Sequence, residues 1–202
     1  FGSIWGGIEA IVISQMEAIG TAIPRSVVLA FISLLVLTYA RFALPKRGST
    51  LLIGLVAAGF KFLGLPMIFK CQLAAVLGQA IILELTFTLA EDRGIMRHLV
   101  KMSAVVFIAG IVNALIFAFS QAYLFQNHWW LDRGVTGNIS WSLGAGSLAA
   151  MAGIIAYLTS IGLIKLSLSR YNRFSEVKKI AYSSFVIAVS AFFWITGAMV
   201  IC

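Results

Sequence analysis

Two long apolar stretches, Leu51–Ile68 and Leu73–Ala90, each carry one ionisable side chain at a depth where a bilayer would be driest: Lys61 in the first and Glu84 in the second. A charge at the centre of a membrane costs several kcal/mol, so such residues turn toward a bundle interior, find partners and mark polar pathways. At about 1.5 Å per residue, Lys61 lies roughly 16 Å and Glu84 roughly 9 Å in from the same end of their helices. Side chains lean toward their own helix N-terminus, which brings this amine and carboxylate toward each other. Two readings follow. The pair fixes helix register, with little net stabilisation once desolvation is counted, or it belongs to a polar solute or coupling site. Glu9 competes with Glu84 as a partner for Lys61. Glu17, nearer the outer surface, lines an external pocket or reaches water, and Asn113 stands near the middle of another apolar stretch.

The elements that must hold these residues are helices. The chain has 202 residues, 61% hydrophobic and 11% charged, with a mean hydropathy of +1.01. That leaves too little polar surface to coat a water-soluble globule. Only closed barrels and helices satisfy every backbone group in lipid, and these apolar runs are continuous rather than alternating. The expected fold is all-α, a polytopic transmembrane bundle of six to seven spans in one integral membrane domain, residues 1–202.

Seven segments are predicted: Phe1–Ile19, Val27–Leu44, Leu51–Ile68, Leu73–Ala90, Leu99–Tyr123, Trp141–Leu166 and Ile180–Ile201. The first carries a small residue at every fourth place, Gly2, Gly6, Ala10, Ser14 and Ala18, a spacing that lets a neighbouring helix approach closely. That neighbour is either another span of this chain or a separate membrane subunit. Gly144, Gly146, Ala149 and Gly153 give the sixth segment a similar face. Leu124–Ser140 is the longest expected connection. Its paired Trp129 and Trp130 suit a headgroup anchor or a lid over a ligand.

Lys and Arg set the orientation. Arg41, Lys46, Arg47, Arg93, Arg97, Lys101, Lys165, Arg170, Arg173, Lys178 and Lys179 fall after the even-numbered segments, against Arg25, Lys70 and Arg133 on the other side. The positive-inside rule then places the N-terminus in the cytoplasm of a cell (inner) membrane protein. The formal charge of +8 is dispersed in short clusters between spans, which fits membrane topology and not nucleic acid.

Several chemistries find no motif. Cys71 and Cys202 lack CxxC spacing; both fall near the outer face, where a disulfide is conceivable. His98 and His128 fall on opposite sides of the membrane and cannot jointly ligate one haem. No metal site or cofactor is expected, and no nucleophile with its base, so no enzyme activity. Asn138-Ile139-Ser140 matches a glycosylation sequon.

Gly6-Gly7-Ile8-Glu9-Ala10, the turn Pro45-Lys46-Arg47-Gly48-Ser49 leading into Leu52-Ile53-Gly54-Leu55-Val56-Ala57-Ala58, and Ile81-Ile82-Leu83-Glu84-Leu85 resemble the substrate-binding S components of energy-coupling factor transporters. The resemblance covers mainly residues 1–91. It implies a vitamin- or metal-capturing membrane subunit that topples in the bilayer after docking on a transmembrane coupling subunit driven by two ATPases. Gly6, Ala10 and Ser14 are then the docking face. Six spans are usual there, against the seven counted here, and no His-rich N-terminus of the cobalt or nickel type is present. The expected function is a non-catalytic subunit surrounded by membrane lipids that binds a small-molecule solute through Glu9, Glu17, Lys61, Glu84 and Asn113. The alternative is an accessory subunit of a larger membrane complex, its buried charges serving assembly.

Overall fold

A computed structural model describes residues 1–8, 12, 25–64, 70–171, 188–189 and 191–192. Residues 2–8 are helical. The elements that follow are α1 (Arg25–Ala43), α2 (Ser49–Gly64), α3 (Lys70–Asp92), α4 (Leu99–Phe119), α5 (His128–Leu131) and α6 (Gly134–Tyr171), with no strand among the described residues. A 3₁₀ turn, Ile95–Arg97, leads into α4, which continues into a π-helical turn, Ser120–Leu124.

Continuous Leu, Ile, Val and Ala runs make these helices, and their neighbours decide which side each buries. α6 lies along both α1 and α4, α2 packs on α3 and α1, and α3 packs on α4, so the five long helices close into a ring. Its core holds Trp5, Leu37, Val76, Phe87, Met102 and Tyr157. Large aliphatic residues face outward on α2, α3, α4 and α6, among them Leu52, Leu85, Val100, Ile108, Ile155 and Leu166, while Ser33, Thr38, Thr50, Ser142 and Ser160 are buried. Exposed apolar surface on this scale suits lipid rather than water. Ser26–Ala43, Leu73–Asp92, Leu99–Leu124 and Gly134–Ser167 are long and apolar enough to cross a membrane.

Small residues set the closest approach. A Cβ placed on Gly110 would stand 2.6 Å from Ala150 Cβ and 2.9 Å from Ala150 Cα, and one on Gly146 would stand 2.6 Å from Ala114 Cβ. Gly153 meets Val106 and, on α1, Leu34. The pairs 106/153, 110/150 and 114/146 step antiparallel, one helical turn at a time, so α4 and α6 lie backbone to backbone along a seam of small side chains. The same device joins α2 to α3, where Gly54 faces Ala80.

Two sequence expectations change. The expected connection Leu124–Ser140 is largely helical: it holds the π turn's end, α5 and the first turns of α6, because the apolar pattern of α6 begins at Gly134. Of the Gly-rich run, Gly146 and Gly153 make close contacts, whereas Gly144 has nothing within 4 Å and points outward. Of the six to seven expected spans, four helices long and apolar enough to cross a membrane lie among the described residues. α2 has 16 residues, about 24 Å against a hydrocarbon core of about 30 Å. The final predicted span, Ile180–Ile201, lies almost wholly outside the described residues.

Thermal unfolding in micelles checks the seam. Gly110→Val should lower stability by about 1–3 kcal/mol, because its side chain meets Ala150 backbone and the helices must part. Gly144→Ala should leave the melting temperature unchanged or slightly raised.

Candidate functional site

Glu84 sits on the side of α3 that faces the start of α2. The first N–H groups of a helix have no intrahelical acceptor, and the aligned peptide dipoles leave that end positive. Gly48 precedes α2 with φ +86°, a left-handed turn that costs glycine nothing and aims the chain's donors inward. The Glu84 carboxylate accepts from Gly48 N–H at 2.6 Å, from Thr50 N–H at 3.1 Å and from the Thr50 hydroxyl. The Thr88 hydroxyl, one turn along α3, donates at 3.3 Å. Glu84 thus caps α2 from a different helix.

Arg41 completes the joint. Its guanidinium is 3% exposed; one arm stands 3.5 Å from Glu84 and donates to the Lys46 carbonyl, the other donates to Glu91 at 2.8 Å. Arg47 pairs with Asp92 on the exposed rim. These bonds tie the end of α1, the α1–α2 turn and the end of α3 together. Buried charge is tolerated because each oxygen and guanidinium arm has an opposite charge or a hydrogen-bond partner.

The expected Lys61–Glu84 pair is therefore corrected. Glu84 is saturated at the first turn of α2, and Lys61 lies 11 residues beyond Thr50 on that same helix, about 16 Å away along its axis. Arg41, assigned from sequence only to a basic flank, is the true partner. Glu84, Thr88 and Glu91 are spaced i, i+4, i+7 on one face of α3, a stripe that signals the need for a cation but not which one.

A second polar locus lies deeper. α1, α3, α4 and α6 enclose a cavity of about 30 Å³ whose polar side chains are Gln79 and Asn113, among apolar walls that include Ala30, Leu34 and Val106. That volume suits one or two waters. Gly78 leaves room beside Asn113: a Cβ there would stand 3.7 Å from Asn113 Oδ1. Neither amide has a hydrogen-bond partner.

The third locus is aromatic, at the opposite end of the ring from Arg41. Trp130 is buried edge-on against Trp129 at 4.8 Å, Trp141 at 4.7 Å and Phe117 at 5.6 Å. The Arg133 guanidinium covers exposed Trp129 at 3.7 Å, a cation–π contact. Trp129 is exposed, whereas Trp130 roofs the helix ends. Asn138 is 0% exposed and donates to the Trp130 carbonyl at 3.2 Å, so the asparagine of the sequon is buried within α6.

Of the residues expected to bind solute, Asn113 reaches the cavity and Glu84 the helix-capping joint. Lys61 is placed only by its backbone, on α2, and Glu9 and Glu17 lie outside the described residues. Gly6 of the expected docking face is buried, and one turn before it a Cβ on Gly2 would stand 2.7 Å from Val56 of α2; Ala10 and Ser14 are again outside the described residues. Among the described residues no cluster of His, Cys, Asp and Glu could hold a metal ion. His98 precedes α4 and His128 follows its π turn, at opposite ends. Compared with known proteins, the chain matches no family model, no curated protein and no solved structure.

Double-mutant cycles on thermal unfolding separate the partners of Glu84. Arg41→Met and Glu84→Gln should each cost about 3–5 kcal/mol and be non-additive by about 0.5–3 kcal/mol. Lys61→Met and Glu84→Gln should add within about 0.5 kcal/mol. Translation into microsomes should give no glycan-dependent mobility shift at Asn138.

Proposed function

We propose that this chain is a multi-pass, non-catalytic membrane subunit that binds a small neutral solute in the cavity between α1, α3, α4 and α6, serving a transporter of the energy-coupling factor kind. One observation carries the reading: Gln79 and Asn113 project two unpartnered amides into one cavity inside an otherwise apolar four-helix body. Both amides are half-buried, and a ligand that both donates and accepts gives each a hydrogen bond worth about 0.5–1.5 kcal/mol. The cavity lining carries no charge, which favours a neutral molecule over an ion. At about 30 Å³ the cavity is contracted, and loading anything larger than water parts the helices around it. Glu84 leaves the list of solute contacts and becomes a fastening of the frame.

The orientation follows from the ends of the ring. Arg41, Lys46, Arg47, Arg93, Arg97 and Lys101 gather at the end joined by the α1–α2 and α3–α4 connections. That end faces the cytoplasm of the cell membrane, and the Trp130 end faces outward.

The alternative, an accessory subunit of a larger complex, draws on Gly144 and Gly162. Both lie exposed on α6 with nothing within 4 Å of a Cβ, leaving room for a helix of another chain.

Native mass spectrometry of the protein isolated in nanodiscs from its own membrane tests both. A single non-lipid small molecule should ride with the wild type and be lost from Gln79→Leu/Asn113→Leu, with helix content and elution volume retained. A wild type that carries partner polypeptides and no such molecule, or a double variant that keeps the molecule, overturns solute binding at this cavity.

A further inference from the structure

We infer that the outward end of the bundle holds a second hydrogen-bonding site, between Gln121 of α4's π turn and Asn138 of α6, through which the solute reaches the central cavity. The inference rests on the solute-binding reading and adds the route and the chemistry of its outer station.

Two polar side chains carry it. Gln121 is 1% exposed and Asn138 is 0% exposed, yet Gln121 Nε2 has no acceptor and Asn138 Oδ1 has no donor. Buried polar atoms are nearly always paired, and each orphan costs about 1–3 kcal/mol. The two come from facing helices. Ala118, Ala122, Ser142 and Asn138 are all fully buried at this end of the bundle. Both flank α5: the Gln121 carbonyl accepts from Asn127 N–H at 3.0 Å, Asn138 donates to the Trp130 carbonyl, and the free donor and free acceptor do not bond to each other. A bridging molecule must accept from Gln121 and donate to Asn138. A small neutral amide or alcohol meets both demands, whereas an ion meets one.

The surroundings suit passage. Asn113, Phe117 and Gln121 follow at intervals of four along α4, so Gln121 stands about 12 Å outward of the central cavity and Phe117 lies between. Phe117 packs on Trp130 at 5.6 Å and Trp141 at 6.3 Å, forming the constriction. Trp130 is the roof, and its carbonyl already takes the other end of the Asn138 amide. The roof segment is bounded by two left-handed residues, Gln126 at φ +50° and Gly134 at φ +63°, the former a strained position for a side chain-bearing residue. Arg133 clamps the outside of the roof through Trp129. A π turn inside an α-helix often marks a functional position, and Gln121 lies within this one.

Acetamide, which donates and accepts, and N,N-dimethylacetamide, which only accepts, are titrated into the full chain in lipid nanodiscs, with tryptophan emission as the readout. The wild type should respond saturably to acetamide and about ten-fold more weakly to dimethylacetamide, the loss of one hydrogen bond. Asn138→Leu and Gln121→Met should each weaken the acetamide response about ten-fold, whereas Gly144→Ala, exposed on α6 and outside both sites, should keep it. Gln121→Met serves as the readout if Asn138→Leu does not fold. Equal responses to both amides, an unsaturable response, or variants that respond like the wild type overturn the outer site, and leave only a bridging water. The central cavity is judged separately, by the molecule retained or lost in Gln79→Leu/Asn113→Leu.

Discussion

The frame depends on the carboxylate of Glu84 standing where the N-terminus of α2 needs an acceptor. In an apolar body the orphan N–H groups of a helix start cannot turn to water, so an acceptor must come from the protein. Glu84 supplies it from α3, and its charge also meets the positive end of the α2 dipole. A buried carboxylate then needs a cation, and Arg41 from α1 is drawn in beside it, with Glu91 and the Lys46 carbonyl satisfying the rest of the guanidinium. One unsatisfied helix end thus accounts for why three helices meet where they do.

Away from that joint, approach distance replaces charge as the organising quantity. Lipid tails are as apolar as leucine, so helices gain little from hiding large aliphatic side chains from them; close packing and hydrogen bonds hold such bundles together. That explains the inversion of side-chain size, with Gly110, Ala114, Gly146 and Ala150 at the seam and Ile108, Leu148 and Ile155 outside. Ser160 illustrates the second contribution: its hydroxyl bonds the Leu35 carbonyl of α1 at 3.0 Å while also bonding its own helix.

Buried polar atoms without a partner are Trp5 Nε1, Ser49 Oγ, Gln121 Nε2 and Asn138 Oδ1 among the described residues. Gln79 and Asn113 share the central cavity, and Gln121 and Asn138 lie beneath the tryptophan roof. Their uncharged character distinguishes the proposed passage from the charged joint at the other end of the ring.

Composition and hydropathy determined that this chain is helical and apolar enough to cross a membrane, because a mostly hydrophobic exterior leaves backbone groups no partner but each other. Asn113 was also legible, as an amide in mid-helix. The partner of Glu84 was not, because the choice between Lys61 and Arg41 depends on which turn of α2 meets α3, and spacing along a chain carries no record of that. Gly144 and Gly146 differ by two positions, yet one faces outward and the other a neighbouring helix; only the rotation of α6 about its axis decided it. Asn138 reads as a surface sequon until α6 is seen to begin at Gly134 and to turn it inward. Sequence thus set which groups had to be satisfied internally, and the tertiary structure decided which other group satisfies each, since a helix rotates about 100° per residue and a neighbour engages only one side of it.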